Sequence, residues 1–518
     1  MFLDILILVL FAIGMVAIAV ITVKKAKTSD DFLLAGKKGL NGWMSAFSYG
    51  TTYFSAVIFI GYAGKFGWNF GLAAIWIGIG NAFLGGLLAW KLLAKRTKNM
   101  TLRLNAKTMP DFFSKRYDSP LLKKLSAIII FIFLIPYAAS VYNGLGNLFE
   151  IMFGIDGTLI TILLAVLTAI YLVFGGYFAT SLSDFVQGII MIAGVVVMVI
   201  YFMINDKVGG FDVFNRLQSI DKGLFVSYGD KGFLSSPLVA VISLVLLTSM
   251  GVYGLPQTVH KYYTVRDKTA IKQGMIVSTV FAFIVGVSAY FVGSLGRLFF
   301  TETQFSGDLG GVADNIVPNM LNIVIPSGFK GLIAVLVLSA SMSTLASVSL
   351  SASSVLAIDL YKGEKKRSDK QVTLTMRIVC FLFVLISIVI ALLNKKYNLT
   401  AIAYLMGLSW GTLSGCFFGP FVLGLYNKKL TKAAALCSVI GGLVLTIVLI
   451  VVFGGISAGF GAGAGAVIKA GVGQSPLIGV ICMIFSIVIT LVVSSFTKKP
   501  EEKIIEDAFL KTVENEIK

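Results

Sequence analysis

The sequence predicts an all-α polytopic membrane protein with 13 transmembrane helices and a 5+5 inverted-repeat core. Of its 518 residues, 57% are hydrophobic and 13% charged, with a mean hydropathy of +0.91. A water-exposed globule of this composition would present far more apolar surface than its polar atoms could cover. Apolar stretches fall at about 2–23, 42–63, 68–94, 124–154, 157–176, 180–203, 236–259, 270–299, 330–361, 373–393, 399–425, 432–454 and 475–496. Most reach the roughly 20 residues that cross a hydrocarbon core as a helix, about twice what a barrel strand needs. Spans two to six and seven to eleven form two groups of five about a polar stretch. Because five is odd, the second group enters the membrane in the opposite sense to the first.

The organisation expected is an extra helix and loop at 1–41, a first repeat at 42–203, an outside linker at 204–235, a second repeat at 236–425, two further helices at 426–497 and a tail at 498–518. Asp4 precedes the first span and Lys24, Lys25 and Lys27 follow it, the reverse of a cleavable signal peptide. That span is read as a retained helix starting outside, which leaves the carboxyl terminus in the cytoplasm. Lys and Arg agree: of 43, 32 lie in loops assigned inside and 10 in loops assigned outside, as the positive-inside rule requires. The expected location is the plasma (inner) membrane. The net charge of +18 sits mainly in short loops flanking apolar helices, where anionic lipid rather than nucleic acid is the partner. Cys380, Cys416, Cys437 and Cys482 fall within spans at no paired spacing, as small apolar side chains rather than disulfides or zinc ligands.

Each five-span group opens on an interrupted helix. Tyr49-Gly50-Thr51-Thr52 breaks the apolar run of the second span, and Met250-Gly251-Val252-Tyr253-Gly254-Leu255-Pro256 that of the seventh. A lone glycine allows close helix packing. Two breaks at matching positions point instead to discontinuous helices whose free carbonyls and amides line a site. The glycine-rich stretch 459–473 follows no strand, and the chain has no GxxxxGK[ST] sequence, so a flexible connector is expected and no ATP machinery is visible. In the tail, Ile504, Ile505, Phe509, Leu510, Val513 and Ile517 are spaced among charges, as in a weak amphipathic helix lying against the cytoplasmic face.

Enzyme chemistry finds little to use, since the single histidine, His260, has no evident Ser or Cys partner. In the ninth span Ala340, Ser343 and Thr344 stand at i, i+3 and i+4, presenting a carbonyl and two hydroxyl oxygens on one helix face. Such oxygens suit a hard cation, or else simply bond their own backbone. Asp184 and Gln187 share a face at the start of the sixth span. A carboxylate inside the membrane costs about 2.5–3.5 kcal/mol, so Asp184 either caps the helix or faces a cation with the broken second span.

The motifs Asp31-Phe-Leu-Leu-Ala-Gly, Met109-Pro-Asp-Phe-Phe, Gly175-Gly-Tyr-Phe-Ala-Thr-Ser-Leu-Ser-Asp-Phe-Val-Gln and Met342-Ser-Thr-Leu-Ala-Ser ending in Asp359-Leu-Tyr-Lys together resemble the sodium/solute symporter family, to about residue 430. The resemblance implies a LeuT-type fold and sodium-coupled uptake of a small organic solute. The carbonyls of Thr51, Phe54 and Ala340 and the hydroxyls of Ser343 and Thr344 would hold sodium, with Asp184 and Gln187 near it or at a second sodium. By likeness to members that carry proline, Ser55, Tyr137 and Tyr253 would line the solute pocket. Ser249 stands where those members have tryptophan, and Tyr53 where they have aspartate. Tyr53-Phe54-Ser55-Ala56-Val57 is similar to the monocarboxylate and iodide branch. The implied solute is a small amino acid such as proline or a short monocarboxylate. A proton-coupled symporter, a channel and a transporter-like sensor are the competing readings.

Overall fold

A computed structural model describes residues 2–22, 28–34, 39–221, 223, 236–306, 312–362, 367–397, 399–513 and 516–517. Among the described residues, eleven helices are long and apolar enough to cross a membrane, and the chain is a multi-pass membrane protein. The difference from thirteen has local causes. The second and third spans run on as one helical stretch, Val57–Arg103, bent at Gly71 (φ 54°, ψ −134°). The fifth is a shorter apolar helix, Gly157–Ile170, and passes without a loop into the sixth at Gly176 (φ 61°, ψ −169°). Both turns need a positive φ, which glycine alone adopts at little steric cost.

The helices that build the site are α1 (Phe2–Thr22), α2 (Gly42–Tyr53), α3 (57–70), α4 (71–103), α5 (Pro120–Phe153), α6 (157–175), α7 (Gly176–Met203), α8 (Pro237–Met250), α9 (Pro256–Tyr263), α10 (Lys268–Ser294), α11 (Lys330–Lys362), α12 (Asp369–Tyr397), α13 (Ile402–Leu425), α14 (Lys432–Ala458) and α15 (Ser475–Phe496). Their starts follow from sequence. Asn41 and Asp267 accept the amides of Met44 and Ala270 and so cap α2 and α10. Pro120, Pro237 and Pro256 occupy first turns, where the missing N–H costs nothing.

α11 is the axis of the fold. Its apolar window is 94% buried, against 17% for α1 and 22% for α14, which leaves those two at the lipid-facing perimeter. Asp4 of α1 reaches α11, accepting the amides of Gly328 and Gly331 at 3.0 and 2.8 Å, where the helix N-terminus favours an anion.

Both predicted breaks are present, the first displaced along the chain. Gly50 stays helical and packs against the Phe281 ring. The chain unwinds at Phe54 (φ −106°, ψ 128°) and Ser55, and α3 then opens with a π-helical turn, Val57–Tyr62, a form that recurs at functional sites. The second break is a 3-10 turn, Gly251–Gly254, followed by extended Leu255 (φ −91°, ψ 124°).

Two terminal features differ from expectation or extend it. In the glycine-rich stretch, Ala464–Gly473 is a helix rather than a flexible connector. Its Gly471 and Gly454 of α14 allow contact so close that a Cβ on either would overlap a carbonyl of the other helix. The tail is helical over 502–510 and docks on the chain rather than lying free. Ala508 and Ile517 are buried, Arg103 donates to Glu516 Oε1 and Oε2 at 2.6 and 2.9 Å, and Asn99 and Ile517 exchange two hydrogen bonds at 2.9 and 3.0 Å. The hydrogen bond from Arg103 holds the Glu516 carboxyl below the usual glutamate range. The clasp is therefore present at neutral pH and is lost as pH falls through that lowered value. Glu516→Gln is expected to lower the protection of amides across 502–513, relative to their intrinsic exchange rates, at pH 7 to the level the parent shows only in acid. Equal exchange in the two proteins at pH 7 would mean that the ion pair does not hold the tail.

Candidate ion and solute site

The unwound segment and α11 meet at Thr344. Its hydroxyl lies 3.0 Å from the Ala340 carbonyl, 3.2 Å from that of Thr52 and 3.4 Å from that of Phe54. A threonine has one proton to donate, so three carbonyl acceptors compete for it. Thr52 O and Phe54 O are free because α2 stops at Tyr53 and its last carbonyls lose their intrahelical partners. Thr344 is fully buried and Thr52 is 3% exposed. The surplus of inward-facing oxygen lone pairs, with one hydroxyl oxygen among them, is the coordination chemistry of a hard monovalent cation.

Ser343 is engaged differently. Its hydroxyl donates to Thr51 Oγ1 at 2.7 Å, and Thr51 in turn donates to the Phe47 carbonyl at 2.7 Å. Thr51 thus meets α11 through its side chain, and the carbonyl beside Thr344 is that of Thr52. The Ser55 hydroxyl accepts the Val57 amide at 3.3 Å, and the neighbouring Ala56 amide donates to Ser341 at 3.1 Å, so the unwound turn is pinned to α11.

Asp184 lies eight residues into α7, counted from Gly176, so it is no helix cap. It is fully buried. The Ser48 hydroxyl donates to its Oδ2 at 2.6 Å, and the Lys261 ammonium stands 3.6 Å from the same oxygen. Lys261, on α9, also donates to Ser48 and Ser347 at 2.8 Å each, and Ser347 shares a 2.8 Å hydrogen bond with Thr52. Gln187 turns elsewhere, its amide reaching the Met15 sulfur of α1 at 3.4 Å. Counted by sequence among the inside loops, Lys261 is in fact 2% exposed.

The solute-side residues divide in two. Tyr137 is fully buried beside Ser55 and Thr344, with its ring edge-on to Trp410 at 5.6 Å. Ser249 donates to Asn81 Oδ1 at 3.1 Å, where Tyr53 and Thr248 also donate at 3.1 and 2.8 Å. Tyr253 is committed away from both, its hydroxyl on the Leu84 carbonyl at 2.7 Å and its ring stacked on Phe418 at 5.7 Å. Among the described residues, several buried donors lack a well-formed hydrogen bond here: the hydroxyls of Tyr62, Tyr137 and Tyr290, Asn81 Nδ2 and Trp410 Nε1, with Ser55 and Thr344 beside Tyr137 and Asn81 beside Tyr290. Tyr62 lies within electrostatic reach of Tyr137, and Tyr290 of Tyr62. Two cavities of about 350 Å³ each share Asp314, one lined by Lys65, Tyr404 and Lys469, the other by Asn143, Glu150 and Lys395.

Lys261, Asn81 and Trp410 join these clusters unexpectedly, and Thr52 and Ser347 stand within motifs read from the sequence without being singled out there. Ser347 carried a signal, since it extends the Ser343–Thr344 face by one turn. The others depend on contacts between helices distant in the chain.

A broken helix crossing a hydroxyl-rich central helix at a cation-type oxygen cluster defines an ion-coupled membrane transporter of LeuT-type fold. The chain belongs to the sodium:solute symporter family, matching it over residues 32–442. It is similar to the sodium/pantothenate symporter of Haemophilus influenzae, 28% identical over 80% of this chain and 84% of that one. It is likewise similar to the osmoregulated proline transporter of Bacillus subtilis, 29% identical over 84% and 86%. In fold it is similar to a solved Na+-coupled sialic acid symporter in a substrate-bound outward-open state, with a TM-score of 0.75 at 20% identity over 97% of this chain and 99% of that chain.

Proposed function

We propose that this chain is a sodium-coupled symporter of a small organic carboxylate, working by alternating access. The observation that carries the ion is the excess of carbonyl acceptors around the Thr344 hydroxyl. Sodium bound there by Thr344, Phe54 and Ala340, with Thr52 in place of Thr51, would join the unwound segment of α2–α3 to α11. Coupling then follows from different sodium affinities of the state in which they are joined and the state in which they part. A tenfold sodium gradient supplies about 1.4 kcal/mol per ion, and one sodium moving with one carboxylate anion carries no net charge, so the potential adds nothing and accumulation is limited to about tenfold.

The donors of Tyr62, Tyr137, Tyr290, Asn81 and Trp410 support a solute rich in acceptors, since a buried donor left without a well-formed bond costs about 1–3 kcal/mol. A carboxylate is common to proline and pantothenate, the solutes in the relatives' names. None of these five side chains is anionic to face an ammonium group, which favours a short monocarboxylate over an amino acid. The two five-span groups, 42–203 and 236–425, serve as the inverted repeats, with 204–235 outside, the cavities at Asp314 as the outer vestibule and the tail in the cytoplasm. Within the linker, residues 222 and 224–235 lie outside the described residues.

Two measurements test this. A panel of amino acids, short monocarboxylates and vitamins should stabilise purified protein only in sodium, by about 2.7 kcal/mol at a hundredfold excess over Kd and read as a raised unfolding temperature, with monocarboxylates leading. Stabilisation that is the same in choline would remove sodium from the account. Uptake into proteoliposomes should cease when choline replaces sodium at constant pH; uptake that then follows a proton gradient would favour the proton-coupled alternative.

A further inference from the structure

We propose that Lys261 supplies a tethered cation at a second cation site, so that the chain itself provides the positive charge there and only one sodium travels. The site is fully enclosed: Asp184 and Ser48 are 0% exposed, Lys261 2% and Ser347 5%. Its lining is the oxygen set an alkali cation takes, a carboxylate and hydroxyls. The ammonium lies among them, 2.8 Å from Ser48 Oγ and from Ser347 Oγ and 3.6 Å from Asp184 Oδ2. The Tyr177 ring lies on another side, 5.2 Å from Nζ. Asp184 Oδ1 is buried with no hydrogen-bond partner among the described residues, so the carboxylate keeps acceptor capacity that the ammonium leaves unused.

The tether also explains why the ion pair sits where it does. Lys261 is on α9, the half-helix after the second break, while Ser48 is on α2, the half-helix before the first. Asp184 and Ser347 are on α7 and α11. The amine therefore bridges both discontinuous helices to the two helices behind them. Through Ser347 and Thr52 it is linked to the carbonyl that faces Thr344. A free ion at this point would leave once per cycle. An ammonium on a side chain stays, and its charge is not transported.

The inference rests on the proposed sodium coupling only for the parent's single ion; the change on removing the amine tests the tether by itself. Equilibrium binding of 22Na+ to purified protein is expected to give one ion per chain in the parent and two in Lys261→Ala, because the vacated oxygens take sodium. Two ions in the parent, or the same number in both proteins, would overturn the tether. No ion in the parent with one in Lys261→Ala would uphold the tether and defeat the sodium reading of Thr344. If Lys261→Ala is hard to fold, its folded yield in sodium chloride against choline chloride gives the answer. Recovery only in sodium is expected, and equal recovery or equal loss in both salts overturns the inference.

Discussion

Thr344→Ala is expected to raise the sodium concentration for half-maximal uptake by about tenfold to a hundredfold, with little change in solute affinity once sodium saturates. The size follows from the loss of one hydroxyl oxygen facing a charge, about 1.5–3 kcal/mol. The direction follows from position, since this hydroxyl alone lies within 3.0–3.4 Å of the carbonyls of Ala340, Thr52 and Phe54. Ser343→Ala should shift sodium dependence less, because that hydroxyl is spent on Thr51. Sodium titrations of initial uptake rates in proteoliposomes separate the two, and parent-like titrations for Thr344→Ala would take the ion away from this place.

Asp184→Asn is expected to lower stability in sodium-free buffer by about 3–5 kcal/mol because it leaves the Lys261 ammonium buried without its counter-charge. Lys261→Met should cost a similar amount by stranding the carboxylate. The double variant, in which both charges are gone and side-chain volume is nearly kept, should recover most of the loss. Thermal unfolding of the four proteins in choline closes the cycle. A double variant as unstable as the sum of the singles would show that the two side chains act independently, against their 3.6 Å approach.

Much of the architecture could be read locally. Apolar length gives the spans, and glycine with proline at 250–256 gives the second break where it is found. The first break moved from Gly50 to Phe54–Ser55 because Gly50 is needed for contact with Phe281, a partner more than 200 residues away. Ala340 and Thr344 were legible because a helix repeats every 3.6 residues and puts i and i+4 together. The carbonyl beside Thr344 is that of Thr52 where Thr51 was expected, because in an unwound segment no period fixes which carbonyl turns inward. Lys261 was hidden by its setting. A lysine five residues past a helix-starting proline looks like one of the basic residues that flank a span. Only the packing of α9 against α2 and α11 reveals that it is enclosed. The Asn81 cluster was equally invisible, since its members come from α2, α4 and α8.

One monovalent cation is expected to bind where the break after α2 meets α11. Crystals grown with thallium(I) in place of sodium test it most directly, through anomalous difference density. A peak bounded by Thr344 Oγ1 and the carbonyl oxygens of Ala340, Phe54 and Thr52 is expected, abolished by competing sodium. A peak elsewhere, with those oxygens free of density, would contradict it.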